Sequence, residues 1–312
     1  MNQLIAIVGP TGIGKSQIAL RLAQAFNGEI VGADSRQVYR HLDIGTAKPS
    51  LEELNDVQHH LIDIVNPDEK FSMAQYQRLA YAAISDIQKR GKLPFLVGGS
   101  GLYVWGVLEG WQMPRVAPDT KFRHNMERKA ADNGAEKLYE ELMEVDPAAA
   151  EKIDRRNVRR VIRALEVYKT KKSHASRFQS REKPPFNIHI IGLTASRAEV
   201  YRRIDLRVDD MIAKGLVNEV ERLDGMGYGL DLPAMSSIGY KQIVMFLKGE
   251  STLASAAQQI KFETHRFVRH QYAWFRLKDE RINWFDIVEQ KEQEIKTSVS
   301  QFIEGQIVNS RN

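Results

Sequence analysis

The residues best suited to chemistry fall into two short segments near the start of the chain. Gly9-Pro10-Thr11-Gly12-Ile13-Gly14-Lys15-Ser16 satisfies G-x-x-x-x-G-K-[ST] at every fixed position. Its glycines let backbone N–H groups turn inward onto phosphate oxygens. Lys15 offers a point charge to a distal phosphate, and the Ser16 hydroxyl suits a magnesium ion. Such a loop reads phosphate and not base, so a pyrophosphate on any small molecule fits it as well as a nucleotide does. Asp34 is the second candidate, in Ala33-Asp34-Ser35-Arg36-Gln37-Val38-Tyr39. At the carboxyl end of a strand it would face the ligand crevice of an open α/β sheet. There a carboxylate can orient a hydroxyl or an amine and take its proton. The plainer alternative is a turn aspartate that caps the following N–H groups.

A third feature is basic. Residues 152–183 hold twelve Lys and Arg against Asp154, Glu166 and Glu182, a net +9 within a chain whose total is +5. Arg155, Arg156, Arg159, Arg160 and Arg163 recur at helical spacing and can form one stripe suited to a phosphate backbone. The bland alternative is a solvated helix face, which the scarcity of acids argues against. Farther on, His265-Arg266-Phe267-Val268-Arg269-His270-Gln271-Tyr272-Ala273-Trp274-Phe275 interleaves basic and aromatic residues. Phe267, Trp274 and Phe275 read as core.

Periodicity supplies the elements that must position these groups. Apolar runs at 4–8, 29–32, 60–65, 93–97 and 187–193 read as strands, the fourth running into Gly98-Gly99-Ser100-Gly101. Helical patterns cover 15–26, 73–89 with Ser72 as N-cap, 197–226, 240–247 and 253–275. Strands alternating with helices indicate an α/β fold with a parallel sheet. Between about Arg115 and Arg181 no strand pattern appears, and Lys183-Pro184-Pro185 marks a boundary. The expected architecture is a P-loop NTPase-like core of residues 1–113 and 187–312, carrying a mainly helical, basic insertion over 114–186. The last ~20 residues are polar and expected to fray.

Of 312 residues, 43% are hydrophobic and 27% charged, an ordinary globular composition. No apolar run approaches the ~20 residues of a membrane span. The N-terminus lacks the pattern of a signal peptide, and there are no cysteines, which excludes thiol chemistry and disulfides. A cytoplasmic monomer with no membrane association is expected. His59 and His60, without further ligands at suitable spacing, read as structural.

Longer stretches then carry a resemblance. GPTGIGKS (9–16), ADSRQVYRHLDIGTAKP (33–49), GGSGLY (98–103), RRNVRRVIRALEVY (155–168), RVDDMIAKGLVNEV (207–220) and SSIGYKQ (236–242) resemble the bacterial tRNA dimethylallyltransferases. DSRQVY followed by DIGTAKP is far more specific than the phosphate loop alone. The resemblance covers the chain to about residue 285. It implies transfer of a dimethylallyl group from dimethylallyl diphosphate to N6 of the adenosine 3′ to the anticodon, in tRNAs reading codons that start with U. Magnesium assists, and no NTP is hydrolysed. By the same resemblance Gly9 to Ser16 hold the diphosphate, Ser16 binds Mg²⁺, Asp34 is the general base, and Arg207 also reaches the diphosphate. Ser100, which stands where the family commonly has Thr, is expected among the catalytic residues and, with Asp34, among the tRNA contacts. Ser35, Arg36 and Gln37 resemble contacts to the target nucleotide and its neighbours. Arg123 and the Arg155–Arg163 stripe resemble parts that face the anticodon stem-loop. HRFVRHQ (265–271) departs from the family's more basic RRYAKRQ. Three other readings stand beside this one: a small-molecule or nucleoside kinase, an RNA-binding module with a decayed phosphate site, and an enzyme that prenylates free adenine nucleotides. A metabolite kinase does not need the basic insertion, and the intact loop with Asp34 argues against a pure binding module.

Overall fold

A computed structural model describes residues 2–112, 116–171, 181–229, 232–289 and 291–306. Met113, Pro114 and Arg115, and Lys172 and Arg177 of the basic stretch, lie outside the described residues. The chain divides into two compact units, Met1–Leu108 with Pro184–Asn312, and Glu109–Lys183.

The first unit is built on one sheet. Strands β1 (Gln3–Val8), β2 (Gly28–Gly32), β3 (His59–His60), β4 (Leu93–Val97), β5 (Asn187–Thr194) and β6 (Ile282–Asp286) lie in the order β3-β2-β4-β1-β5-β6. All neighbours are parallel, with Ile5 opposite Phe95 on one side and His189 on the other. Leu4 to Val8 are buried, as are Phe95, Leu96, Ile190, Ile191 and Leu193. A parallel sheet is covered on both faces, so its inner strands read as continuous apolar runs. The same feature made β1, β2, β4 and β5 visible in sequence. Two edge strands differ. The expected strand over 60–65 shrinks to His59–His60, because Leu61 and Asp63 take positive φ (64° and 56°) that a strand cannot use. β6 was not expected, since only Ile282 in it is fully buried.

Helices α1 (Lys15–Ala25), α2 (Leu51–Asp56), α3 (Met73–Lys89) and α4 (Gly101–Leu108) belong to the first half of this unit. Ser72 caps α3 as expected, within a capping box closed by Gln75. In the second unit lie α5 (Thr120–Asn133), α6 (Ala135–Val145), α7 (Pro147–Ala150) and α8 (Val158–Lys171), around a core of Leu138, Leu142, Val161, Ile162 and Leu165. The chain enters and leaves this unit as a pair. Trp111 pairs antiparallel with Arg181, and the Glu182 N–H donates to the Gly110 carbonyl at 2.9 Å.

After β5 come α9 (Arg197–Ala213), α10 (Leu216–Gly225), α11 (Tyr240–Leu247), α12 (Leu253–Trp274) and, after β6, α13 (Glu292–Ile303). The single helix expected over 197–226 breaks at Gly215, whose φ is 95°. Of the tail expected to fray, 307–312 lie outside the described residues, while residues up to 303 instead belong to α13, which buries Ile295, Val299 and Phe302. Its i, i+4, i+7 spacing was present in an otherwise polar stretch. No helix among the described residues is long and apolar enough to cross a membrane.

Candidate active site

Parallel strands deliver their carboxyl ends to one edge of the sheet, and the candidate residues gather there. The phosphate loop leaves β1 at Gly9, whose φ of 143° admits no ordinary side chain; a Cβ there would stand 2.4 Å from the Leu193 carbonyl oxygen. Gly14, at φ 96°, opens α1 in the left-handed conformation, with no capping side chain and no acid in the first turn. An N-terminus without a capping carboxylate leaves its N–H groups and its positive dipole end for an external anion. Ser16 is exposed in that first turn. Pro10, Thr11, Gly12 and Ile13 form the intervening turn, with Ile13 buried.

Lys15 folds back onto the loop, and its Nζ donates to the Pro10 carbonyl at 2.7 Å. Burial, then the nearby charge of Arg207, lower its pKa to about 7, while Asp34 opposes them. Arg207, on α9, is itself lowered by burial and raised by Asp34. The three charged groups therefore share one neighbourhood, where two cations face a single acid.

Asp34 follows β2 directly. Its Oδ1 accepts the N–H groups of Arg36 (2.8 Å) and Gln37 (3.4 Å), which is the role of a turn aspartate. That role occupies one oxygen, leaving Oδ2 for another task. Ser100, after β4, ties in the same segment: its Oγ accepts the Ser35 N–H at 3.0 Å. The side chains of Arg36 and Gln37 are engaged by backbone. Arg36 donates to the Pro233 carbonyl at 2.7 Å, and Gln37 Nε2 donates to the carbonyls of Thr46 (3.1 Å) and Ala47 (3.0 Å). Both of these hydrogen bonds use the amide nitrogen of Gln37 and neither uses its Oε1.

Residues without an expected role brace this site. Glu219 of α10 is buried, and its carboxylate accepts the N–H groups of Asp43 (3.1 Å), Ile44 (2.7 Å) and Gly45 (3.1 Å) and the Tyr240 hydroxyl (2.6 Å). A Cβ on Gly45 would meet the Tyr240 ring at 2.5 Å. Lys48 is nearly as enclosed, donating to the Tyr39 carbonyl and to Asp43. DIGTAKP therefore serves as scaffold for Gln37, and Arg207 touches it through the Thr46 carbonyl at 3.4 Å. Burial raises the pKa of the Tyr103 hydroxyl, and the nearby Tyr39 and Asp34 add to the rise. The signal for Glu219 was available: an acid in step with Leu216, Val220 and Leu223 sits at a core position.

In the helical unit the basic stripe is rearranged. Arg155 and Arg156 precede α8, so the five arginines do not share one helical face. Arg155 pairs with Glu136 and Arg156 with Asp154. Buried Glu166 collects Arg123 (2.9 and 2.8 Å), Arg163 and the Asp119 N–H (2.7 Å). Burial alone would raise its pKa, yet these hydrogen bonds hold it at about 2. The acids are fewer than the bases, yet they engage Arg123, Arg155, Arg156 and Arg163. Arg159 and Arg160, exposed on the first turn of α8, carry no ion pair among the described residues. Of the three aromatics expected in the core, Phe275 is buried, whereas Phe267 (40%) and Trp274 (37%) are exposed. His60 pairs with Glu29 and His59 with the Val57 carbonyl.

The family model for IPP transferase matches residues 37–278. The chain belongs to the IPP transferase family. Among its relatives is the tRNA dimethylallyltransferase of Roseiflexus sp. (strain RS-1), 55% identical over 276 residues, covering 88% of this chain and 90% of the other. That of Dehalococcoides mccartyi is 46% identical over 300 residues, covering 96% and 92%. Among solved structures, the full-length tRNA isopentenylpyrophosphate transferase of Bacillus halodurans superposes with a TM-score of 0.73 at 40% identity, covering 98% of each chain. A eukaryotic dimethylallyltransferase acting on tRNA gives 0.86 at 27% identity, covering 100% of this chain and 82% of that one. The sheet is the core of a P-loop NTPase-like fold, and its β4 runs into Gly98-Gly99-Ser100-Gly101 rather than ending in an acid.

Proposed function

We propose that this IPP transferase moves a dimethylallyl group from dimethylallyl diphosphate to N6 of the adenosine 3′ to the anticodon, in tRNAs reading codons that start with U. The observation that carries this reading is the pairing of an anion cradle with a single carboxylate: Lys15 and Arg207 stand with Asp34 at the edge of the sheet. A bond forms between N6 and C1 of the prenyl group as the C1–O bond to diphosphate breaks. The amine is a weak nucleophile, its lone pair delocalised into the ring. Asp34 Oδ2 accepts its proton, a contribution of about 10²–10⁴ in rate. The Gly9–Ser16 backbone, Lys15 and Arg207 stabilise the charge that develops on diphosphate. Ser100 fixes Ser35 and hence the approach of Asp34.

Magnesium fits this donor set in a limited way. No cluster of three acids or histidines among the described residues could hold a metal. An exposed Ser16 hydroxyl beside an acid-free helix start suits an ion ligated mainly by diphosphate oxygens and water. Bound there, Mg²⁺ would neutralise charge on the leaving group.

The helical unit, Glu109–Lys183, is the tRNA-binding part in this reading, with Arg159 and Arg160 as phosphate contacts. A stacked adenine must be extruded to reach the site, at a cost of a few kcal/mol. Contacts to the anticodon stem offset that cost. The test combines the protein with labelled dimethylallyl diphosphate, magnesium and unmodified tRNA, with parallel tubes holding AMP, or labelled ATP. Label entering tRNA alone supports the reading. Label entering AMP shifts it to free nucleotides, and phosphate leaving ATP for a small acceptor restores a kinase.

A further inference from the structure

Gln271 sits on the face of α12 that carries Ile260 and Val268, and it is buried (4% exposed). A primary amide at such a position must have both its ends satisfied. Its Oε1 accepts the N–H of Thr11 in the phosphate loop at 2.8 Å, and its Nε2 donates to the carbonyl of Gly99 at 3.0 Å. The partners fix which way the amide points, since an N–H only donates and a carbonyl only accepts. The fit is close: a Cβ on Gly99 would stand 2.3 Å from Nε2. Beside Gly99, Ser100 accepts the Ser35 N–H, and Asp34 precedes Ser35. One unbroken path of hydrogen bonds and peptide units thus runs from the phosphate loop through α12 to the carboxylate.

We propose that Gln271 is a positioning residue that locks the phosphate loop to the Gly99–Ser100 turn, so that the diphosphate cradle and Asp34 keep one registry. It acts through Thr11 and Gly99. Its kinetic consequence rests on the prenyl-transfer reading; its consequence for diphosphate binding does not. The isosteric change Gln271→Glu separates positioning from packing. A neutral carboxylic acid offers one acceptor and one donor, the pattern of the amide. A carboxylate offers two acceptors and sets one of them against the Gly99 carbonyl.

The experiment measures affinity for inorganic diphosphate by calorimetry, and kcat and KM for prenyl transfer, at pH 5.5 to 8.5. Full-length wild type, Gln271→Glu and Gln271→Leu are compared at each pH. Gln271→Glu is expected to bind diphosphate about tenfold or more weakly at pH 8, and to return to within about threefold of wild type at pH 5.5. Gln271→Leu is expected to be weaker by a factor that does not change with pH. If Gln271→Leu does not fold, the pH course of Gln271→Glu alone decides. A Gln271→Glu variant equal to wild type at pH 8, or weaker by the same factor throughout, overturns the proposal. Wild type that binds diphosphate but transfers no prenyl group overturns the reaction and leaves the binding comparison decisive. Wild type that binds no diphosphate overturns both.

Discussion

Lys15 makes a free-protein prediction that needs no substrate. Its ammonium has one hydrogen bond, to the Pro10 carbonyl, and burial with Arg207 nearby brings its pKa from 10.5 to about 7. That separation corresponds to on the order of 5 kcal/mol at about 1.36 kcal/mol per pH unit. The sign follows from proton counts. Between pH 7 and 10.5 the unfolded chain holds a proton on Lys15 that the folded chain has lost, so stability rises with pH in this window. Below pH 7 the folded protein carries the full cost of the charge. Lys15→Met removes that cost along with a hydrogen bond worth about 1 kcal/mol. The variant should therefore be more stable than wild type by on the order of 3–4 kcal/mol at pH 6.5, with the gain gone by about pH 10.5. Urea denaturation followed by circular dichroism across this range reads the difference directly. The reasoning fails if Lys15→Met is no more stable than wild type at pH 6.5, or if the difference does not change with pH. Inorganic diphosphate should stabilise wild type more than the variant, which keeps the loop backbone and Arg207 but has lost the cation that the ligand would relieve.

Asp34→Ala should lower single-turnover transfer by about 10²–10⁴ while tRNA binding in a filter assay stays within about twofold; near-normal turnover removes Asp34 as the base. Glu219→Ala should cost about 3 kcal/mol or more in a urea melt, because three N–H groups and the Tyr240 hydroxyl lose their shared acceptor. Replacing Arg159 and Arg160 with Ala should flatten the salt dependence of tRNA binding by about 0.7–0.9 in log–log slope for each arginine that meets a phosphate. Arg123→Ala should instead lower stability by about 2 kcal/mol through Glu166, and a pure salt-slope effect would reverse that assignment.

The central strands and the phosphate loop were legible because both follow from local rules: continuous apolar runs in a parallel sheet, and glycines where backbone must approach a ligand. β6 and α13 were harder, since each buries only part of one face and the remaining residues are polar. In the site, Asp34 and Arg207 could be named from motifs, but their partners could not. Glu219 reaches back across more than 170 residues to Asp43, Ile44 and Gly45, and Gln271 across 260 to Thr11. A sequence shows that a polar residue occupies a core position; which distant backbone satisfies it is decided by topology. Arginine counting has the opposite limit. A single buried acid, Glu166, engages both Arg123 and Arg163, and a net charge cannot show that.

The neck at Gly110–Trp111 and Arg181–Glu182 makes the helical unit a graft whose two ends already meet. Closure is secured at the base, whatever length of chain lies beyond it. Doubling the intervening segment would cost the sheet only about 0.6 kcal/mol in loop entropy. The part proposed to grip RNA can therefore lengthen, shorten or be exchanged over evolutionary time, while the catalytic sheet keeps its stability and its geometry.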